Sequence, residues 1–172
     1  MIRESHVLSS MRDRLARRGL LTATAVSGVA ALTAGLRGAA AQPTPGPGGI
    51  EWLDYTPARR YAAGARFGNV VYLAGETGQD LTTGKTIEGG IGPQTQLAFE
   101  NIRHNLKQLG SDLQYVFRIT TYLVNMSDIS VYAQTRAQFL PRAIPATTVA
   151  VSALAFPELL IEIEVTAAVP GR

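Results

Sequence analysis

Leu160-Ile161-Glu162-Ile163-Glu164-Val165-Thr166-Ala167-Ala168-Val169 decides the fold. Ile161, Ile163 and Val165 alternate with Glu162 and Glu164, the period of two that sends one set of side chains to a core and the other toward water. Such a strand belongs to a sheet with one covered face. The cover lies upstream. After Pro93, residues Ala98, Ile102, Leu106 and Leu109 recur at i, i+4, i+8 and i+11 before Gly110, an amphipathic helix whose other side carries Gln94, Glu100, Arg103 and Lys107. A second helix is expected from Ser127, as its N-cap, to about Phe139, with Ile129, Tyr132 and Phe139 inward and Pro141 and Pro145 ending it.

Further strands are expected at Tyr61 to Phe67, Val70 to Ala74, Val116 to Val124 and Ala146 to Ala153, where β-branched and aromatic residues cluster. Phe67-Gly68-Asn69 supplies a hairpin turn, and the stretch from Thr77 to Gly92 reads as a loop turning at Leu81-Thr82-Thr83-Gly84. The order β-β-α-β-α-β-β predicts an α+β domain, one sheet with both helices on a single face. The other face is left bare with apolar character, so a homo-oligomer is expected.

The whole chain has 172 residues, 46% of them hydrophobic, no cysteine and a formal net charge of +3. A disordered or disulfide-stapled protein is excluded by that balance. The charge is concentrated at one end. Residues 1–41 hold six of the 16 basic side chains and two of the 13 acids, which leaves ten against eleven for the remainder. Arg12 to Arg18, the apolar run Gly19 to Leu36 and the closing Ala39-Ala40-Ala41 have the order of an export signal, and Arg17-Arg18 resembles its twin-arginine form. Residues 1–41 are therefore expected to direct the protein to a bacterial periplasm and to be removed, leaving no stable membrane span. Residues 42–51, rich in proline and glycine, read as a flexible leader, and residues 52–172 as the folded domain.

The mature chain resembles the Rid family, also called YjgF or the L-PSP endoribonuclease family. The resemblance rests on Gly68-Asn69-Val70-Val71-Tyr72-Leu73-Ala74-Gly75, on Gln94-Thr95-Gln96 with Asn101-Ile102, and on Leu109-Gly110-Ser111 and Thr121-Tyr122-Leu123. Pro145-Ala146-Thr147-Thr148-Val149 and Ile161-Glu162-Ile163-Glu164 complete it. It implies a chorismate-mutase-like fold assembled as a homotrimer, with a small-molecule cleft between subunits. It also implies water-driven hydrolysis of enamines and imines to a 2-oxo acid and ammonia, with no metal and no cofactor.

On that resemblance Glu162 falls at the catalytic carboxylate that orients water, Tyr61 at the pocket tyrosine, and Gly75 after the second strand. Glu76 replaces a neutral amide and would favour a cationic ligand. Ala74 and Ala133 replace small polar residues. The arginine expected to clasp a substrate carboxylate is missing, Ala146 being followed directly by Thr147. Arg142 lies four residues before Ala146 and is the guanidinium that could swing into the cleft from an otherwise exposed loop, and Thr147 and Thr148 would offer hydroxyls in the vacated space.

Other chemistries lack their residues. His104 stands alone on the first helix, and with His6 in the expected export segment no second imidazole completes a metal set; thiol catalysis needs the cysteine this chain lacks. A near-neutral mature chain without a basic stripe lacks the phosphate contacts that dominate nucleic-acid affinity, so no nucleic acid is expected as partner. Two readings remain: a hydrolase of C=N or enamine compounds with a non-standard substrate, and a trimeric binding protein without catalysis, toward which Ala74, Ala133 and Ala146 point by making the cleft more apolar.

Overall fold

The computed structural model describes residues 43–54 and 61–171. The expected export segment lies outside them. Among the described residues eight strands form one sheet: β1 (Thr44–Pro45), β2 (Ile50–Asp54), β3 (Ala62–Phe67), β4 (Val70–Leu73), β5 (Glu76–Thr77), β6 (Val116–Leu123), β7 (Ala146–Ala150) and β8 (Ile161–Ala168). They run in the order β1-β2-β3-β4-β8-β6-β7, with β5 extending beside β8 beyond the end of β4. Two helices, α1 (Ile91–Gln108) and α2 (Ile129–Phe139), complete the α+β domain.

The strand with the strict alternation sits at the centre, bonded to β4, β5 and β6. Its Ile161, Ile163 and Val165 are buried, together with Val71, Leu73, Ile119 and Leu123 of its neighbours. Against them α1 lays Ala98, Phe99, Ile102 and Leu106, all fully buried. Each large side chain in that layer contributes roughly 1.5–3 kcal/mol. Phe99 also stacks on Phe139 of α2, ring centroids 5.0 Å apart. The strands β6 and β7 are parallel and joined through α2, whereas the other ladders are antiparallel. The helix therefore runs back against both strands it connects.

Three expectations change. Gln94, placed on the wet side of α1 by periodicity, is 3% exposed. Its amide nitrogen donates to the Glu158 carbonyl and its oxygen accepts the Leu160 N–H, both at 2.9 Å. It thus acts as a rung between the helix and the segment entering β8, and polarity alone misread it. Ser127 does not cap α2: a short 3-10 turn (Met126–Asp128) precedes the helix, and the Asn125 carboxamide accepts the Ser127 N–H. Of the three residues expected inward on α2, Tyr132 is buried and Phe139 partly so, but Ile129 is 42% exposed.

The proline- and glycine-rich leader also differs from its reading. Thr44 and Pro45 pair with Trp52 and Glu51, and the chain reverses through Gly48 and Gly49 at φ of 69° and 76°. Glycine takes that left-handed backbone at little cost, so the composition that suggested flexibility serves a turn.

Candidate functional site

The face of the sheet away from the helices is built by the other half of each alternation. Reading across the ladders, Tyr122 of β6 lies opposite Glu162 of β8 and Val149 of β7, and Thr77 of β5 lies on the far side of Glu162. The next row carries Thr147, Thr120 and Glu164. Tyr72, 55% exposed, and Trp52, 40% exposed, continue the face toward the β1 edge.

Glu162 is the centre of this face. Its carboxylate lies over Gly75, immediately after β4: a β-carbon there would meet Glu162 Oε1 and stand 2.5 Å from its Cδ. Among the described residues no hydrogen bond ties the carboxylate down. Burial raises its pKa above the ordinary carboxylate value, and the Glu164 carboxylate two residues on adds to the rise. Glu164 is itself held, since the Tyr122 hydroxyl donates to its Oε2 at 3.2 Å. The Tyr122 phenol is pushed up, first by burial and then by Glu164.

Tyr61 enters β3 at the same corner. It is 57% exposed, two residues before Ala63, whose carbonyl accepts the Ala74 N–H at 2.9 Å, so the chain carries Tyr61 to the Gly75 end of the sheet. Tyr61, Gly75 and Glu162 are therefore brought to one corner. Thr147 shares the open face but stands two strands away from β8, about 10 Å across the sheet. Arg142 is exposed, in the segment before β7.

Two expected ligand contacts point the other way. Glu76 pairs in register with Ile163, which puts its side chain on the helix face, where it is 2% exposed and its Oε1 accepts from Asn105 Nδ2 at 2.8 Å. The Glu76 carboxylate is thus part of the helix–sheet packing and not of the face that carries Glu162. Thr148 pairs with buried Thr121 and likewise turns toward the helices, where its hydroxyl meets Tyr132. Strand parity decides both: Glu76 and Thr148 are one residue out of phase with the open face.

Sequence reasoning missed Tyr122 and the partnership of Glu164. The pairing register that brings Tyr122 beside two acids was the signal needed, and a single strand does not carry it. A separate groove of about 670 Å3, walled by the loop Gly84–Gly90 and by Phe156, Glu158 and Leu160, contains none of the expected residues. Among the described residues no three His, Cys, Asp or Glu side chains converge as a metal set would, and no helix is long and apolar enough to cross a membrane.

Chemically, the corner offers a carboxylate without a fixed partner, raised in basicity, above a bare backbone, with a phenol nearby. That is a place to hold a water molecule against a flat electrophile.

Comparison with known proteins sets this geometry in context. The family model described as Endoribonuclease L-PSP matches residues 54–169. A RutC family protein of Pyrococcus horikoshii is 34% identical over 112 residues, 64% of this chain and 88% of its own. A 2-iminobutanoate/2-iminopropanoate deaminase of Dermatophagoides farinae is 27% identical over 57% of this chain and 77% of its own. Among solved structures, a YjgF family member from Mycobacterium tuberculosis superposes with a TM-score of 0.61 at 30% identity, covering 70% of this chain and 99% of that one. RidA from an Antarctic Psychrobacter superposes with a TM-score of 0.58 at 29% identity, covering 67% and 95%.

Proposed function

Because this chain belongs to the Rid family of endoribonuclease L-PSP-like proteins, we propose that it hydrolyses a reactive imine or enamine. In that reading the Glu162 carboxylate accepts a proton from a water molecule as the water oxygen bonds to the carbon of C=N. With the imine protonated at the start, the product is a neutral carbinolamine; Glu162 gives its proton to the amine nitrogen and takes the hydroxyl proton as the C–N bond breaks, so that a carbonyl compound and ammonia leave. An enamine enters the same sequence once protonated on carbon to its imine. Gly75 gives the substrate an approach free of side chain, and Tyr61 borders it.

The observation that carries this reading is the Glu162 carboxylate seated over Gly75 with no hydrogen bond from the described residues and a raised pKa. A raised pKa makes it a stronger base than an exposed glutamate. The strand β7 offers alanine and threonine where a guanidinium would hold a substrate acid, so the substrate is one not clasped from that strand. Ammonia release from freshly generated imines tests the reading. Glu162→Ala should lower turnover about 100-fold or more while ligand binding persists; equal turnover in the variant removes Glu162 from the chemistry.

A second reading, a trimeric binding protein without turnover, is favoured by the sequence having alanine at all three of positions 74, 133 and 146, where the resemblance leads one to expect polar groups. Absence of ammonia release from any imine by the wild-type protein would select it. In either case the homotrimer is the proposed assembly, supported by the exposed aromatic side chains Trp52 and Tyr72 on the open sheet face. The proposed location is the periplasm, supported by the twin arginine and the Ala39-Ala40-Ala41 end of the leading segment. The intact mass of the exported protein tests it: a chain beginning after Ala41 is expected, and one still carrying Arg17 would refute cleavage.

A further inference from the structure

The groove beyond the entry of β8 lies next to the Glu162 corner, and the reaction above makes no use of it. Thr77 pairs in register with Glu162 and so stands on the same face of the sheet. The Thr77 hydroxyl donates to Gln79 Oε1 at 3.3 Å, which holds the Gln79 side chain on that face too, and Gln79 lines the groove. Leu160, also in the lining, comes two residues before Glu162, about 6.6 Å of extended chain. Gln94 reaches the lining from α1, on the helix side. The groove therefore lies past the end of the sheet, where its two faces meet, and one of its walls belongs to the face that carries Glu162.

The lining decides which part of a ligand belongs there. Both of its glutamines are already engaged. Gln79 accepts from Thr77, and its amide nitrogen donates to the Gly84 carbonyl at 3.0 Å; Gln94 holds the Glu158 carbonyl and the Leu160 N–H. An amide bonded at both ends requires no polar group from a ligand. The charged side chains of the lining are Lys85, Glu88 and Glu158, all exposed, one base against two acids, a balance that does not attract an anion. Its large apolar side chains are Ile87, Phe156 and Leu160. Ile87 is 41% and Phe156 51% exposed, turned to water around a hollow of about 670 Å3. Small-molecule sites have that size and are lined chiefly by such groups.

We propose that this groove holds an uncharged apolar substituent, an aryl group or one of similar bulk, of a ligand whose reacting carbon lies against Glu162. This rests on the proposed imine chemistry and names its substrate class: an imine or enamine with a bulky hydrophobic group, selected by Phe156 and Ile87. Contacts made in the groove, away from the reacting carbon, hold the C=N group in place over Gly75.

The test uses the whole protein and two pairs of probes that differ only by a phenyl group. Binding is titrated with 2-oxo-3-phenylpropanoate and 2-oxopropanoate, and ammonia release is followed from the corresponding 2-imino acids, freshly generated by an amino-acid oxidase from phenylalanine and alanine. The acid group is common to both members of each pair and cancels. The wild-type protein should favour the phenyl compound at least about tenfold in affinity and in kcat/KM. Phe156→Ala and Ile87→Gln, the second similar in size but polar, should each bring that advantage to within about threefold and leave the methyl compound's turnover within about twofold. Both positions are exposed, so both variants should fold, which melting temperatures check. Equal affinity of the wild type for the two 2-oxo acids, or an advantage that survives in both variants, overturns the proposal. A phenyl advantage in binding that Phe156→Ala removes, in a protein that releases no ammonia from either imine, sustains the groove and defeats the hydrolase reading. Ammonia release that requires Glu162 yet is indifferent to the phenyl group does the reverse.

Discussion

Glu162 and Gly75 share one volume: a β-carbon on Gly75 would stand 2.5 Å from Glu162 Cδ and 2.7 Å from Cγ. The obstructing atoms all belong to a flexible side chain, so Gly75→Ala should move Glu162 and leave the backbone in place. We expect imine turnover to fall about 100-fold, as far as in Glu162→Ala, with a melting temperature within a few degrees of the wild type. Steady-state ammonia release beside a thermal melt reads both. Full activity in Gly75→Ala would mean that the observed position of the carboxylate is not the working one.

The pH dependence follows from the neighbour of Glu162. Burial first and Glu164 second raise its pKa, so the acid limb of kcat/KM should lie above the ordinary carboxylate range. Glu164→Gln removes the repulsion and should shift that limb to lower pH. Stability carries the opposite preference: the folded protein holds this proton more tightly than the unfolded chain, so this group's contribution is lost as pH rises from the ordinary value through the raised one. A pH–rate profile for both proteins checks the direction of the shift.

The Gln94 clamp is a matter of stability. Its buried amide satisfies the Leu160 N–H and the Glu158 carbonyl together. Gln94→Ala should cost about 2–4 kcal/mol in urea unfolding. Gln94→Glu, nearly identical in shape, should also destabilise because its one remaining kind of group, the acceptor, faces the Glu158 carbonyl. If Gln94→Glu unfolds with the wild type's midpoint, the two bonds are not both formed.

Glu76 separates packing from recognition. It lies between β5 and α1 and accepts from Asn105. Asn105→Ala should lower stability by about 1.5–3 kcal/mol, the range for a hydrogen bond to a charged group. Glu76→Gln should leave affinity for amine ligands unchanged in a titration. Selective loss of amine binding in that variant would place Glu76 back in the cleft.

The proposed trimer predicts a mass in solution of three chains by light scattering. Tyr72→Glu would bring an unpaired carboxylate to the open sheet face, a cost of several kcal/mol if that face is covered by another subunit. The variant should therefore run as a folded monomer. A trimer unaffected by Tyr72→Glu would put the contact surface elsewhere.

Much of this architecture was written in local patterns. The alternation Ile161 to Val165 located the central strand, and the spacing of Ala98, Ile102 and Leu106 located the helix that covers it. What local pattern could not carry was any fact requiring two segments at once. Gln94, Asn101 and Asn105 are polar yet buried, because their partners are backbone or acid groups far along the chain. Glu162 could be picked out, but which of its polar neighbours share its face depended on register: Glu76 and Thr148 fall behind the sheet, whereas Tyr122 comes to its front.

The two rims of the sheet are not equivalent. One closes on β1, a two-residue strand in which Pro45 has no N–H to offer an incoming chain. The other is β7, five residues long and, among the described residues, bonded along one side alone. Strand addition from outside can then proceed at one rim and is blunted at the opposite one. Growth into an indefinite ribbon, which needs two receptive rims, is thereby interrupted at every second junction, and a mutation restoring an N–H at position 45 would remove that safeguard.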